Sequence, residues 1–186
     1  SGLELTELTL KLNNAIDTVA QMKQEDSLGR LQIIQQTILN LTDRCENPCI
    51  LIGEALDETK IQSQDQTLVY LNLHKLSLCY LFGEYQKSLT ISIATQSYLH
   101  LFTSQYIQVL LYFYDSLSRL ALYNEASKEQ QQQWLEEVIS NQEQMKIWAD
   151  HAPMNFLHKF HLVEAEKHRV LCNYIGAIEL YEQAIA

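Results

Sequence analysis

Glycine and proline are scarce in this sequence, and its glycines stand far apart. The 186 residues include 5 glycines and 2 prolines, which leaves little of the turn chemistry that an all-β fold requires. Because the glycines stand at positions 2, 29, 53, 83 and 176, neither GxxxxGK[ST] nor GxGxxG phosphate-binding loops can occur. The kinase signatures HRD and DFG are missing too. We therefore expect a non-enzymatic chain that binds no cofactor.

Basic residues are few, and long apolar runs are absent from the sequence. The chain has 13 Lys and Arg against 23 Asp and Glu, a formal net charge of −10, and this negative field repels nucleic acid. No stretch approaches the ~18 consecutive apolar residues that a membrane-spanning helix needs. The first residues do not resemble a secretory signal. The sequence predicts a cytoplasmic protein that binds neither nucleic acid nor membrane.

Cysteines are few and do not form a metal or redox motif. They stand at positions 45, 49, 79 and 172, so none belongs to a CxxC pair and no second close pair could complete a zinc site. We expect reduced and mostly buried thiols.

What the sequence does contain is helical periodicity. Apolar residues recur every three or four positions, as in amphipathic helices, and leucine, glutamine, glutamate, isoleucine and alanine are abundant. The pattern predicts an all-α fold of about eight main helices, arranged as an irregular, tetratricopeptide-like stack of antiparallel hairpins in a single domain, residues 1–186. The predicted helices are 5–22, one capped by Asp26 or Ser27 that runs to about Cys45, one capped by Asp65 that runs to Leu81, and 86–100. They continue with one from Thr103 or Ser104 to Tyr123, one at 128–149 capped by Ser127, and two in 152–186, with a further short helix at 50–56.

The last 35 residues carry the most specific pattern. Two predicted helices are joined at Cys172-Asn173-Tyr174, and small and aromatic residues alternate at the spacing of tetratricopeptide repeats, with Ala165, Ala177, Tyr181 and Ala184 at the packing positions. A looser copy of this turn stands at Gly83-Glu84-Tyr85, with Ser92 where the pattern expects an aromatic residue. Such a hairpin buries its apolar face only against a neighbour. We therefore expect a fragment of a longer chain, truncated within a hairpin, whose Ile178, Tyr181 and Ile185 favour a homodimer.

Two binding hypotheses come from the first helix of this hairpin. In stacked hairpins the first helices line a concave groove, which would present Lys159, Leu162, Glu166 and Arg169 to a protein partner. Alternatively, His158, His161 and His168 share a helix face, and this helix or the interior of the array would serve a small-ligand or metal sensor. The three histidines span more than one tetrahedral ion reaches, and the HExxH motif is absent, so we assign no metal site.

Five stretches of this sequence carry rather specific packing motifs. They are Leu5-Thr6-Glu7-Leu8, the segment from Glu46 to Ala55, Leu78 to Tyr85, Phe113 to Leu117, and, most clearly, His151-Ala152-Pro153-Met154-Asn155-Phe156-Leu157-His158-Lys159-Phe160 continuing to Glu166. These stretches resemble the helical region of the large multidomain signalling kinases of cyanobacteria.

The resemblance implies a place between catalytic domains. Those proteins carry, in order, a serine/threonine kinase domain, an AAA-type ATPase domain, a tetratricopeptide-like helical region, a GAF sensor and a histidine kinase. This chain would then be an interaction and linker module, whose partners are other domains of the parent kinase or a signalling protein. No catalytic residue is carried over, because the matched motifs are packing motifs.

Overall fold

The computed structural model describes residues 4–42, 45–61, 66–99 and 105–186. Within these ranges the chain forms eight α-helices and no β-strand, which confirms the predicted all-α fold. The caps predicted at Asp65 and at Thr103 or Ser104 lie outside the described residues. The helices are α1 (Leu5–Gln21), α2 (Glu25–Leu41), α3 (Gln66–Leu81), α4 (Tyr85–Gln96), α5 (Gln105–Leu122), α6 (Lys128–His151), α7 (Pro153–Val170) and α8 (Tyr174–Ile185).

Contacts within the chain cluster in two compact units, residues 1–84 and residues 85–186. We refer to them as the first unit and the second unit and describe each by itself. The expectation of one domain stays a prediction.

The first unit packs α1 against α2 and α2 against α3. Its core joins Ile33 of α2 to Leu71 and Leu78 of α3, together with Leu51 from the connection between these helices. The predicted bounds of α2 need correction. The helix begins at Glu25 without a side-chain cap, so neither Asp26 nor Ser27 is its N-cap, and it ends at Leu41, where the Thr42 hydroxyl bonds back to the carbonyl of Ile38 at 3.0 Å.

The connection between α2 and α3 contains no helix at residues 50–56, so the short helix predicted there is wrong. Side-chain amides of α2 hold this segment instead: Gln36 Oε1 accepts from the backbone N–H of Ala55 at 3.0 Å, and Asn40 Nδ2 donates to the carbonyl of Ile50 at 2.7 Å. A Cβ on Gly53 would lie 2.5 Å from the Gln36 amide. The chain therefore approaches α2 too closely for a helix, and it forms an isolated bridge between Ile52 and Asp57.

The second unit contains α4 to α8. Consecutive helices pack against each other, and α7 contacts α5 as well as α6 and α8. Its fully buried apolar side chains include Val109, Leu111, Val138, Met145, Val163 and Ala165. The predicted cap of α6 is confirmed, because the Ser127 hydroxyl accepts from the backbone N–H of Gln130 at 3.3 Å. Helix α4 ends at Gln96, earlier than predicted.

A buried polar cluster joins α4, α5 and α6. Asp115 is 0% exposed; its carboxylate accepts from Ser92 at 2.7 Å, from Arg119 Nε at 2.8 Å and from Asn141 Nδ2 at 2.9 Å. A hydrogen bond of 2.8 Å also links the hydroxyls of Ser88 and Ser118. Ser92 occupies the position where the repeat pattern expects an aromatic residue, and its bond to Asp115 accounts for the departure.

Three helices end in the same backbone turn, and each is followed by a new helix after three residues. The turn residues with positive φ are Lys23 after α1, Gly83 after α3 and Cys172 after α7, with φ of 55°, 79° and 61°. After α7, Asn173 N–H donates to the carbonyl of His168 and Cys172 N–H to that of Arg169, the pairing of a Schellman motif. The turn predicted at Cys172-Asn173-Tyr174 is therefore confirmed, and the predicted break between the first two helices is a turn at Lys23.

Candidate partner-binding surface

The four residues predicted to bind a partner lie on α7, and all four are half-buried. Their shared face follows from the helical period, because Lys159, Leu162, Glu166 and Arg169 fall within about 80° at 100° per residue. Helix α7 is held between α5, α6 and α8, so this face is a strip along a packed helix and not an open surface.

Lys159 is one of the two cations of this strip, and within the described part of the chain no carboxylate neutralises it. Its ammonium lies 2.8 Å from His158 Nε2 and 6.0 Å from the ring centre of Phe113 on α5. Burial lowers the pKa of Lys159, and burial together with the charge of Lys159 lowers the pKa of His158. A neutral His158 can accept a hydrogen bond from the ammonium. Lys159 therefore presents a partly desolvated positive charge.

Glu166 and Arg169 form a closed pair on the same strip. Arg169 donates to one Glu166 oxygen through Nε at 2.9 Å and through the terminal guanidinium nitrogen at 2.7 Å, and this pairing raises the pKa of Arg169. The Tyr181 hydroxyl of α8 donates to the other carboxylate oxygen. Burial and this hydrogen bond raise the pKa of Tyr181 to about 12. The charge of Arg169 is thus already matched within the hairpin.

Tyr181 joins this site although the sequence placed it on the exposed face of α8. The structure makes it half-buried and bonded to Glu166, whereas Ile178 and Ile185 are 59% and 86% exposed, as expected. Its place at an aromatic packing position of the repeat pattern was the sequence signal for burial. The partner of its hydroxyl was not predictable in this way, because that partner depends on how α7 pairs with α8.

The three histidines of α7 have separate surroundings. His158 contacts Lys159, His168 bonds to Asn173 Nδ2 at 3.0 Å, and the His161 ring lies edge-on to Phe160 at 5.7 Å. Among the described residues, no group of three or more His, Cys, Asp or Glu is placed to hold a metal ion. This arrangement does not favour the metal-sensor hypothesis.

Asp115 and Arg119 were not singled out from the sequence, although they form the most concentrated polar constellation of the second unit. The sequence signal that could have identified this pair was a carboxylate and a guanidinium four residues apart in an otherwise apolar helix. Because Asp115 is 0% exposed and its carboxylate already accepts three hydrogen bonds, we assign the cluster to packing of the helices.

Comparison with known proteins identifies no relative. No family model, no curated protein and no solved structure matches this chain. Among the described helices, none has the length and apolarity to cross a membrane. The family resemblance noted in the sequence therefore enters the account only as a proposal.

Proposed function

We propose that this chain is a non-catalytic protein-interaction and linker module, part of a multidomain signalling kinase of the kind that it resembles. The observation that carries the proposal is the α7–α8 hairpin, which combines an unneutralised Lys159 with exposed apolar side chains on α8. On protein-binding surfaces, apolar residues contribute affinity and neighbouring charged residues contribute specificity.

The packing of the second unit supports this proposal. Helix α7 contacts both helices of the preceding hairpin, α5 and α6, which is the neighbour-to-neighbour packing of helical-repeat proteins. The three-residue turns after α1 and α7 each join two helices that pack on each other, which agrees with a repeated hairpin unit. Stacks of this type serve as spacers and as binding surfaces.

The test compares capture of cellular proteins by the wild-type chain and by a Lys159→Glu variant. Lys146→Glu is the matched control, because Lys146 is an exposed lysine of α6 whose side chain is 60% accessible. We expect proteins enriched by the wild type and by the control to be lost with Lys159→Glu. Equal enrichment by all three chains would contradict a role for this surface, and micromolar ATP binding in calorimetry would contradict the non-catalytic assignment.

A small-ligand sensor is the second candidate, and one cavity favours it. A cavity of about 290 Å³ lies between α1 and α2 in the first unit, at the lower limit of volumes that ligand sites occupy. Its lining mixes apolar and polar side chains, among them Leu12, Ile38, Asn13, Gln35 and Glu54. A thermal-shift screen with zinc and a metabolite panel distinguishes this function, because a ligand of the native state raises the melting temperature.

A further inference from the structure

Helix α8 has an apolar stripe that no described residue of the second unit covers. Tyr174, Ile178 and Ile185 are 61%, 59% and 86% exposed. Single exposed apolar residues are ordinary on protein surfaces, but a contiguous set marks an interaction site.

The stripe is distinct from the face with which α8 packs on α7. At about 100° per residue, Tyr174, Ile178 and Ile185 fall within an arc of about 40°. The buried Ala177 and the half-buried Leu180 and Ala184 lie about 100° away around the helix. Helix α8 thus has two apolar faces, and contact with α7 accounts for one of them.

The charge beside the stripe is negative. Glu179 and Glu182 are exposed, and within the described residues neither carboxylate forms an ion pair. Arg169 of α7 is bound to Glu166 at 2.7 Å. At 100° per residue, Glu182 and Glu179 lie on one side of the stripe, the side away from α7. An occupant of this stripe therefore meets apolar side chains bordered along that side by free carboxylates.

Self-association through this stripe is disfavoured by the same charges. Two α8 helices packed face to face and antiparallel would bring Glu179 and Glu182 of both copies together, and the whole chain carries a net charge of −10. Like charges that face one another across an interface oppose association, in this case of two copies of the chain.

We propose that the α8 stripe binds one amphipathic helix of another protein, with an apolar face bordered by lysine or arginine. The inference rests on the proposed interaction function and specifies its partner. The apolar side chains supply affinity as in helix-in-groove recognition, and the basic borders pair with Glu179 and Glu182. Exposed ion pairs contribute little individually, so we expect charge to set about a tenfold preference between partners.

The test uses two synthetic helical peptides of about 20 residues with leucine at positions a and d of the heptad. One carries lysine at e and g, the other glutamate, and like charges keep each peptide from pairing with itself. Titration of the full chain at low salt should give binding of the lysine peptide about tenfold tighter than that of the glutamate peptide. Glu179→Lys combined with Glu182→Lys should reverse the preference.

An apolar variant tests the stripe itself. Ile178→Glu should weaken binding of the lysine peptide at least about tenfold, whereas Ile139→Glu on α6, a position 47% exposed, should leave it unchanged. Circular dichroism confirms that each variant is folded.

Three results would overturn the inference: no binding of the lysine peptide, equal binding of both peptides, or a dimer of the chain that Ile178→Glu dissociates. If the lysine peptide does not bind but capture of cellular proteins still depends on Lys159, the inference fails and the proposed function stands. If the lysine peptide does not bind and capture does not depend on Lys159, the proposed function fails as well.

Discussion

At the residue scale, Cys172 holds a backbone conformation that suits glycine. Its φ is 61°, in the left-handed region, where a side chain with a Cβ costs about 1–2 kcal/mol. Cys172→Gly removes this penalty and adds some chain entropy to the unfolded state. We therefore expect the free energy of unfolding to rise by about 1 kcal/mol, measured by urea denaturation.

Two further variants separate this backbone effect from loss of the thiol. Cys172→Ala keeps the Cβ and should change stability little. Gly83→Ala adds a Cβ at φ 79°, where no atom lies within 4 Å, so it should destabilise the chain by a similar amount through conformation alone. A Cys172→Gly variant no more stable than Cys172→Ala would contradict this explanation.

A second residue-scale prediction concerns acid. Burial lowers the pKa of His74 to about 4, and its Nδ1 lies 3.1 Å from the Thr37 hydroxyl across the α2–α3 contact. Since the unfolded chain titrates at about 6.5, it binds more protons between pH 6.5 and 4, and stability falls over this window as pH falls. The loss attributable to His74 approaches about 3 kcal/mol.

His74→Gln provides the comparison, because a side-chain amide can still donate to Thr37 and does not titrate in this range. Urea denaturation followed by circular dichroism at pH 7, 5.5 and 4.5 should show a shallower decline for His74→Gln than for the wild type. Carboxylates titrate in both proteins, so only the difference between the two curves is assigned to His74. Parallel curves would exclude His74 as the source of acid sensitivity.

At the element scale, the Asp115 cluster fixes how α4, α5 and α6 meet. Asp115→Asn leaves Arg119, which is 6% exposed, without a counter-charge. Loss of one partner from a buried ion pair costs about 3–5 kcal/mol. Both tryptophans, Trp134 and Trp148, belong to α6, so their fluorescence during urea denaturation reports on this unit.

Asp150→Asn is the matched control, since the Lys146–Asp150 pair has side chains 60% and 59% accessible. An exposed pair of this kind contributes at most about 1 kcal/mol. Adding Arg119→Leu to Asp115→Asn should recover part of the stability, because it removes the unpaired charge. If Asp115→Asn costs no more than Asp150→Asn, the cluster does not hold the helices as described.

Helix periodicity identified most elements because it depends only on local spacing. The turn at Cys172 and the cap at Ser127 were likewise readable, since both use short-range backbone chemistry. The segment around Gly53 was not, because its conformation depends on Gln36, far away in sequence. The Tyr181–Glu166 bond also depends on how two helices pair. The sequence predicted which residues of α7 share a face, but not that Arg169 is neutralised while Lys159 is not.

At the scale of the whole molecule, the role proposed for this acidic helical chain is to bind another protein through its α7–α8 hairpin. Acidic residues exceed basic ones by ten, 23 against 13, so partners with basic surfaces are favoured electrostatically. Binding at this hairpin should therefore weaken as salt is raised, because exposed charge pairs are screened.

Site-specific photo-crosslinking in cells tests whether the α7–α8 hairpin binds another protein. A photoreactive phenylalanine analogue is placed at Ile178 on α8, at Leu162 on α7 and, as a control, at Ile139 on α6. We expect adducts with another polypeptide from positions 178 and 162 and none from 139, and Lys159→Glu should abolish the adduct from position 162, which lies on the same face of α7. Adducts of equal yield from all three positions, or no adduct from 178 and 162, would contradict this binding role.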